Sequence, residues 1–132
     1  MKEGDLMQQD MQRKQLQLNI ILSINPCNDD YHTWIRTLED IKTLDETLND
    51  EDYLGYDNFT EDLTRKDLET AMMTGKIRVC SSYEIKNGTF VSPSYQIAKS
   101  YSGTGRVHSK LVDINDIAWI DVTEGMYAKV TS

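Results

Sequence analysis

The chain has 132 residues and a mass of 15.2 kDa, which suits one domain with a core of its own. No apolar run in it approaches the roughly 18 residues of a membrane-spanning helix. Two cysteines are too few for a disulfide framework, and the polar N-terminal residues lack the apolar stretch of a secretory signal. We therefore expect a cytoplasmic protein with free thiols.

Negative charge is concentrated in the middle third of the chain. Residues 29–69 carry 14 Asp and Glu against 4 Lys and Arg, a net charge of −10, within a total of −8. This sign argues against direct binding to nucleic-acid phosphates, which requires a basic footprint. It suits either a solvated helix face or an anionic surface that attracts a basic partner. The residues that we assign to such a partner surface are Asp45, Glu46, Asp50, Glu51 and Asp52.

The first half of the chain is expected to hold two strands and then two helices. Residues 1–14 show no sustained apolar period and are predicted to form a flexible N-terminal arm ahead of a single domain, residues 15–132. Residues 15–24 place Leu and Ile on the even positions, which is the period of a half-buried strand. Residues 31–36 are rich in aromatic and β-branched side chains and predict a second strand. A helix near residues 38–49 and another between Thr64 and Gly75 each begin with a Thr-to-Asp capping pattern.

Strand signals dominate after this point. Short strands are predicted at residues 76–83, 89–91, 106–112, 117–122 and 126–130. Asn87 and Gly88 predict a hairpin-type turn between the first two. Helices mainly in the N-terminal half and antiparallel strands in the C-terminal half predict an α+β fold.

One short helix interrupts this β-rich half. Ser92 suits the N-cap and Pro93 the first helical position, and Gly103 suits the end of the helix. The N-cap role alone explains why a serine stands at residue 92, and it requires no ligand. The alternative is that the hydroxyls of Ser92 and Ser94 also face a ligand cleft.

Several well-defined catalytic and metal sites are excluded by the residues available. The chain has no glycine-rich phosphate loop and no nucleophile elbow, and two histidines cannot build a multi-histidine metal site. Cys80 lies in an alternating strand, where a buried hydrophobic role is far more common than a nucleophilic one.

Three segments in chain order resemble the C-terminal half of ADP-ribosyltransferase domains, especially the small divergent ones of phages and prophages. They are HTWIR at residues 32–36, TFVSPS at residues 89–94, and DIAWID at residues 116–121 followed by EGMYAKV at residues 124–130. The resemblance covers about residues 31–130. It implies an ADP-ribosyltransferase-like fold that binds NAD and transfers ADP-ribose to a host protein.

The resemblance also implies roles for individual residues. Arg36, with His32 as its competitor, stands where the family has the basic residue that holds NAD, and a guanidinium can bind a pyrophosphate bidentately. Ser92 and Ser94 stand at the positions of the family's Ser-Thr-Ser motif, with Pro93 in place of the threonine. Tyr101 matches the aromatic residue of the helix that follows.

The catalytic carboxylate is the point where this sequence departs from the family. The last strand carries Tyr127 and Lys129 where the family glutamate is expected, and Glu124 precedes Gly125 in what reads as a turn. We assign the catalytic positions to Glu124 and Tyr127. The carboxylate would stabilise the oxocarbenium-like centre as nicotinamide leaves.

A function of a different class suits the same sequence. In it, the protein is a catalytically inactive inhibitor of the anti-CRISPR type that keeps the fold. It would bind a host nucleic-acid-handling protein, such as a Cas effector, through the acidic partner surface and block its nucleic-acid site. Neither reading requires a metal, direct contact with nucleic acid, or a membrane.

Overall fold

The structure is a computed structural model that describes residues 3–24, 35–49, 60–103 and 105–131. Its helices are α1 Glu3–Ile24, α2 Leu44–Leu48, α3 Arg65–Thr74 and α4 Tyr95–Ser100, with 3-10 turns at Leu38–Asp40 and Ile114–Asp116. Its strands are β1 Lys76–Ser81, β2 Phe90–Val91, β3 His108–Asp113, β4 Ile117–Asp121 and β5 Glu124–Tyr127. The fold is α+β, with helices mostly in the first half and antiparallel strands in the second.

Helix α1 overturns the strand predicted at residues 15–24. The even positions that suggested a strand also contain helical spacings, and the structure buries Leu18 and Ile21, which lie three residues apart on one helix face. The helix runs without a break across the predicted boundary between residues 14 and 15. Within the described residues, no helix is both long and apolar enough to cross a membrane.

The segment between α1 and α3 differs from its prediction in two ways. Residues 31–34 of the predicted second strand lie outside the described residues, and Ile35 and Arg36 at its end belong to no strand. The helix predicted near residues 38–49 is a 3-10 turn followed by α2. The predicted role of Asp40 is confirmed, because its carboxylate accepts hydrogen bonds from the backbone N–H groups of Arg36 and Thr37, both at 2.9 Å.

Two antiparallel sheets form the second half. Strands β1 and β3 pair over their full lengths, with Arg78 opposite Leu111. The other sheet has the order β2-β5-β4. A single bridge between Cys80 and Ser92 joins the two sheets, with N–H···O distances of 2.7 and 2.9 Å. The turn predicted at residues 87–88 is present, but β2 pairs with β5 rather than forming a tight hairpin with β1.

The β2-β5-β4 sheet is buried on both faces. Because successive side chains of a strand point to opposite faces, Ile117 and Trp119 join the core that contains α2, α3 and β1. Their neighbour Ala118 joins a second core with Met126 and with Leu18 of α1. The sheet therefore lies between α1 on one side and α2, α3 and β1 on the other.

Two glycines are required by the backbone. Gly75 ends α3 in the left-handed region at φ 77°, as predicted for a residue that follows a helix. Gly125 lies in the middle strand, where a Cβ atom would approach Ile117 Cγ2 to 2.6 Å and the carbonyl oxygen of Ala118 to 2.9 Å. A side chain at residue 125 would therefore push β4 and β5 apart.

The C-terminal residues are held by side chains instead of by a strand. Strand β5 ends at Tyr127 rather than at residue 130 as predicted. The buried carboxylate of Asp116 accepts hydrogen bonds from the backbone N–H groups of Val130 and Thr131 at 2.9 and 2.8 Å. Gln17 of α1 donates to the carbonyl oxygen of Ala128, so the first helix and the last residues meet.

Candidate functional site

The junction between β2 and α4 is built differently from its prediction. Ser94, not Ser92, is the N-cap of α4, and its hydroxyl accepts the N–H of Ile97 at 3.3 Å. Ser92 is held in the bridge to Cys80, and its hydroxyl accepts the N–H of Ser94 at 3.0 Å. The bridge to Cys80 keeps Ser92 in an extended conformation. Pro93 therefore lies before the N-cap rather than inside the helix. The helix ends at Ser100, before Gly103.

Ser94 also connects α4 to a segment that the sequence does not link to it. Its hydroxyl lies 2.8 Å from Asp62 Oδ1, and the N–H of Gln96 lies 3.1 Å from Asp62 Oδ2. Desolvation alone would raise the pKa of Asp62, but the hydrogen bonds from Thr60, Ser94 and Gln96 outweigh it and lower the pKa. Ser94 is fully buried, so its hydroxyl serves this connection and does not face a cleft.

A cavity lies at the opposite end of α4. We call it the main cavity; its volume is about 410 Å³, and it is bounded by the end of β1, residues 86–92, α4 and Met126. Ser92 and Tyr101 are the predicted site residues that line it. Aromatic rings of Tyr83, Phe90 and Tyr101 form part of its wall. This volume is within the range of about 300 to 1,000 Å³ that small-molecule sites occupy.

Glu124 does not line this cavity, but it is hydrogen-bonded to Tyr101, which does. The phenol O–H donates a hydrogen bond of 3.1 Å to Glu124 Oε1, and the ring of Tyr101 packs edge-on against Phe90. Burial raises the pKa of Glu124, the charge of Asp121 raises it further, and the hydrogen bond from Tyr101 opposes them. Burial and the charge of Glu124 likewise raise the pKa of Tyr101. A carboxylate with a raised pKa beside a cavity is a common feature of acid–base sites.

Glu124 does not lie in a turn before the last strand. It is the first residue of β5 and pairs with Asp121 across the β4–β5 hairpin, with residues 122–123 as the turn. The strand begins two residues earlier than predicted, because Glu124 and Gly125 already pair with Asp121 and Trp119 of β4.

Tyr127 is not part of the same site. Its side chain is 5% exposed in the core that contains Trp119, and it lines neither of the cavities described. The ammonium group of Lys110 lies 5.1 Å from the centre of its ring, an arrangement that favours a cation over the ring face. The structure therefore brings Glu124, Tyr101 and Ser92 together and leaves Tyr127 in the core.

The predicted basic residue is also placed elsewhere. Arg36 is exposed and lines neither cavity, and its charge is one of several contributions around Asp40. Burial alone would raise the pKa of Asp40, but the hydrogen bonds from Arg36 and Thr37 and the charge of Arg36 lower it. His32 lies outside the described residues.

Only part of the acidic partner surface falls within the described residues. Asp45 and Glu46 are exposed in the first turn of α2. Glu46 pairs with Lys14 of α1 at 2.7 Å, and Asp45 accepts a hydrogen bond from Asn49. Asp50, Glu51 and Asp52 lie outside the described residues.

The sequence reasoning missed four charged residues that line cavities, which are Glu84 and Lys86 in the main cavity and Asp62 and Arg78 in a second one. Lys86 lies in the wall of the main cavity. Arg78 lines a second cavity of about 340 Å³, which also contacts Cys80 and therefore adjoins the main cavity. The alternation of β1 offered a signal, because it places Arg78 and Cys80 on the sheet face away from the buried Ile77 and Val79.

No three His, Cys, Asp or Glu residues of the described ranges lie close enough together to hold a metal ion.

Comparison of the chain with protein-family models, with curated proteins and with solved structures gave no match.

Proposed function

We propose that the domain has an ADP-ribosyltransferase-like fold, binds NAD in its main cavity and transfers the ADP-ribose group to a host protein. One observation carries this proposal: Tyr101 and Ser92 line a cavity of about 410 Å³, and Tyr101 also donates a hydrogen bond to the carboxylate of Glu124. Glu124 is 23 residues from Tyr101 in the sequence, and all three residues are among those to which the family resemblance gives roles. The cavity suits the nicotinamide and ribose half of the dinucleotide.

The residues of the cavity suit such a ligand. Aromatic rings favour offset or edge-on contact with a planar ring, and Tyr83, Phe90 and Tyr101 provide them. The hydroxyl groups of Ser81 and Ser82 suit a ribose, and the cavity wall carries one positive charge at Lys86 and one negative charge at Glu84. Arg36 has no place in the proposal, because it does not line the cavity.

The chemistry assigned to Glu124 is electrostatic. The bond between nicotinamide and the ribose carbon breaks, and nicotinamide leaves with the electron pair as a neutral molecule. The ionised carboxylate of Glu124 stabilises the positive charge that develops on the ribose. A nucleophile of the acceptor protein then bonds to the ribose carbon and releases a proton to water or to Glu124. Tyr101 orients the carboxylate and opposes the rise in its pKa.

The test is the release of nicotinamide and the appearance of ADP-ribose on protein. The purified chain is incubated with NAD labelled in the adenine ring and with host lysate, and the products are separated by chromatography and gel electrophoresis. We expect labelled protein with the wild type and none with Glu124→Gln, while Tyr127→Phe retains the activity. An active Glu124→Gln variant would rule out the assigned role of Glu124.

A second candidate is the inactive inhibitor that binds a basic partner such as a Cas effector. The exposure of Asp45 and Glu46 in the first turn of α2 favours it. Glu46 forms an ion pair with Lys14, so reversing its charge would also disturb a contact within the protein. Asp45 is therefore the better residue for charge reversal. We expect Asp45→Lys to weaken capture of a partner if this surface is used, whereas unchanged capture would rule out its use.

A further inference from the structure

The second cavity lies on the outer face of the β1–β3 sheet. Arg78 and Asp62 line it together with Tyr95, Pro93 and Val107, and its volume is about 340 Å³. It is separate from the main cavity, which holds neither of the two charged residues. Nothing in the proposed transfer reaction uses it.

The two charged groups of this cavity are not paired with each other. Arg78 has no carboxylate oxygen within 4.0 Å among the residues that the structure describes. The cross-strand neighbour of Arg78 is Leu111. This apolar residue cannot neutralise the charge of the guanidinium. A guanidinium and a carboxylate therefore line one cavity without forming an ion pair with each other.

Asp62 is fixed in position and in its ionised form. Hydroxyl groups of Thr60 and Ser94 bond to Oδ1, and the N–H of Gln96 bonds to Oδ2. These hydrogen bonds lower the pKa of the carboxyl below its usual value despite its partial desolvation. A carboxylate oxygen accepts at two lone pairs, so Oδ2 retains capacity for a further donor.

We propose that the second cavity binds a zwitterionic α-amino acid with an apolar or aromatic side chain. Its carboxylate pairs with Arg78, whose planar guanidinium binds carboxylates through two parallel hydrogen bonds. Its ammonium group pairs with Asp62, and its side chain packs against Tyr95, Pro93 and Val107. A ligand with only one charge leaves the other charged residue without a partner in the cavity.

The experiment uses the full chain and isothermal titration with L-phenylalanine. The matched probes are N-acetyl-L-phenylalanine, which lacks the ammonium group, and L-phenylalaninamide, which lacks the carboxylate. We expect binding of L-phenylalanine, and at least about tenfold weaker binding of each probe, since each loses one charge-assisted pair. L-leucine is expected to bind as well, because its apolar side chain can pack against Pro93 and Val107.

Two variants and a control locate the binding. Arg78→Gln removes the guanidinium from an exposed position and is expected to weaken L-phenylalanine binding at least about tenfold. Asp62→Asn tests the ammonium contact, and Arg36→Gln is the control that leaves binding unchanged. If Asp62→Asn does not fold, Arg78→Gln and the two probes decide the question alone.

Three results would overturn the proposal. They are no binding of L-phenylalanine or L-leucine, unchanged binding by Arg78→Gln, and equal binding of inorganic pyrophosphate, which would indicate a simple anion site. Failure of NAD binding does not bear on this cavity, because the proposed reaction uses the other one.

Discussion

The hydrogen bond between Tyr101 and Glu124 can be tested by Tyr101→Phe. The variant keeps the ring that packs against Phe90 and removes only the hydroxyl that donates to Glu124 Oε1 at 3.1 Å. A hydrogen bond to a charged acceptor contributes about 1.5 to 3 kcal/mol to stability. Because Tyr101 is 49% exposed, water replaces part of that interaction, and we expect a loss of about 1 kcal/mol. For a chain of 132 residues, this corresponds to a fall in Tm of about 3 to 5 °C.

The pKa of Glu124 provides a second and more specific readout. The hydrogen bond from Tyr101 favours the charged carboxylate, so the pKa of Glu124 rises further in Tyr101→Phe. Asp121→Asn has the opposite effect, because it removes the negative charge that disfavours ionisation but keeps an oxygen for Thr123. Both shifts are measured by titrating the side-chain carboxyl carbon of Glu124 by NMR. An unchanged or lowered pKa in Tyr101→Phe would refute the pairing.

Three further predictions concern the framework around the site. Gly125→Ala is expected to lower the free energy of unfolding by about 1 to 3 kcal/mol in urea, because its Cβ meets Ile117, whereas Gly103→Ala, with no atom nearby, has little effect. Ser94→Ala removes the α4 cap and is expected to cost about 1 kcal/mol by the same assay; no change would contradict the assigned cap. The pKa of Asp62 is lowered in the folded state, so its contribution is present above its unfolded-state pKa and is lost as the pH falls through its folded-state pKa. The difference in stability between wild type and Asp62→Asn should therefore shrink toward acid pH, and a constant difference would show that the charge of Asp62 does not matter.

The parts of the fold that were predicted correctly are those with a local cause. Thr64 and Asp67 form a complete capping box at the start of α3. Gly75 takes the left-handed conformation that is common for the residue after a helix. The alternation of Ile77 and Val79 likewise places β1 correctly. Each of these signals lies within a few residues of the structure that it determines.

The errors arise where distant contacts decide between local alternatives. The apolar residues at even positions of 15–24 fit either a strand or a helix, and the packing of Leu18 and Ile21 in one core with Ala118 and Met126 selects the helix. Ser92 would be a good cap, but its bridge to Cys80, twelve residues earlier, leaves the capping to Ser94. The intrinsic helix and strand preferences of these residues carry no information about either contact.

The candidate site was predicted only in its components. Tyr101 and Glu124 are 23 residues apart, and the pairing of β4 with β5 brings them together. The sequence reasoning chose Arg36 from its place at the end of a strand expected over residues 31–36, but Arg36 itself belongs to no strand and lines neither cavity. Arg78 was overlooked because an exposed arginine on an alternating strand is the ordinary expectation for a sheet surface.

The most direct test of the proposed function is calorimetric titration of the wild-type chain with NAD, with Tyr101→Ala as the variant that opens the wall of the main cavity. The account predicts saturable binding of one NAD per chain and a clear loss of affinity in Tyr101→Ala, with Arg36→Gln unchanged. Absence of binding by the wild type at millimolar NAD, or equal binding by Tyr101→Ala, would contradict it.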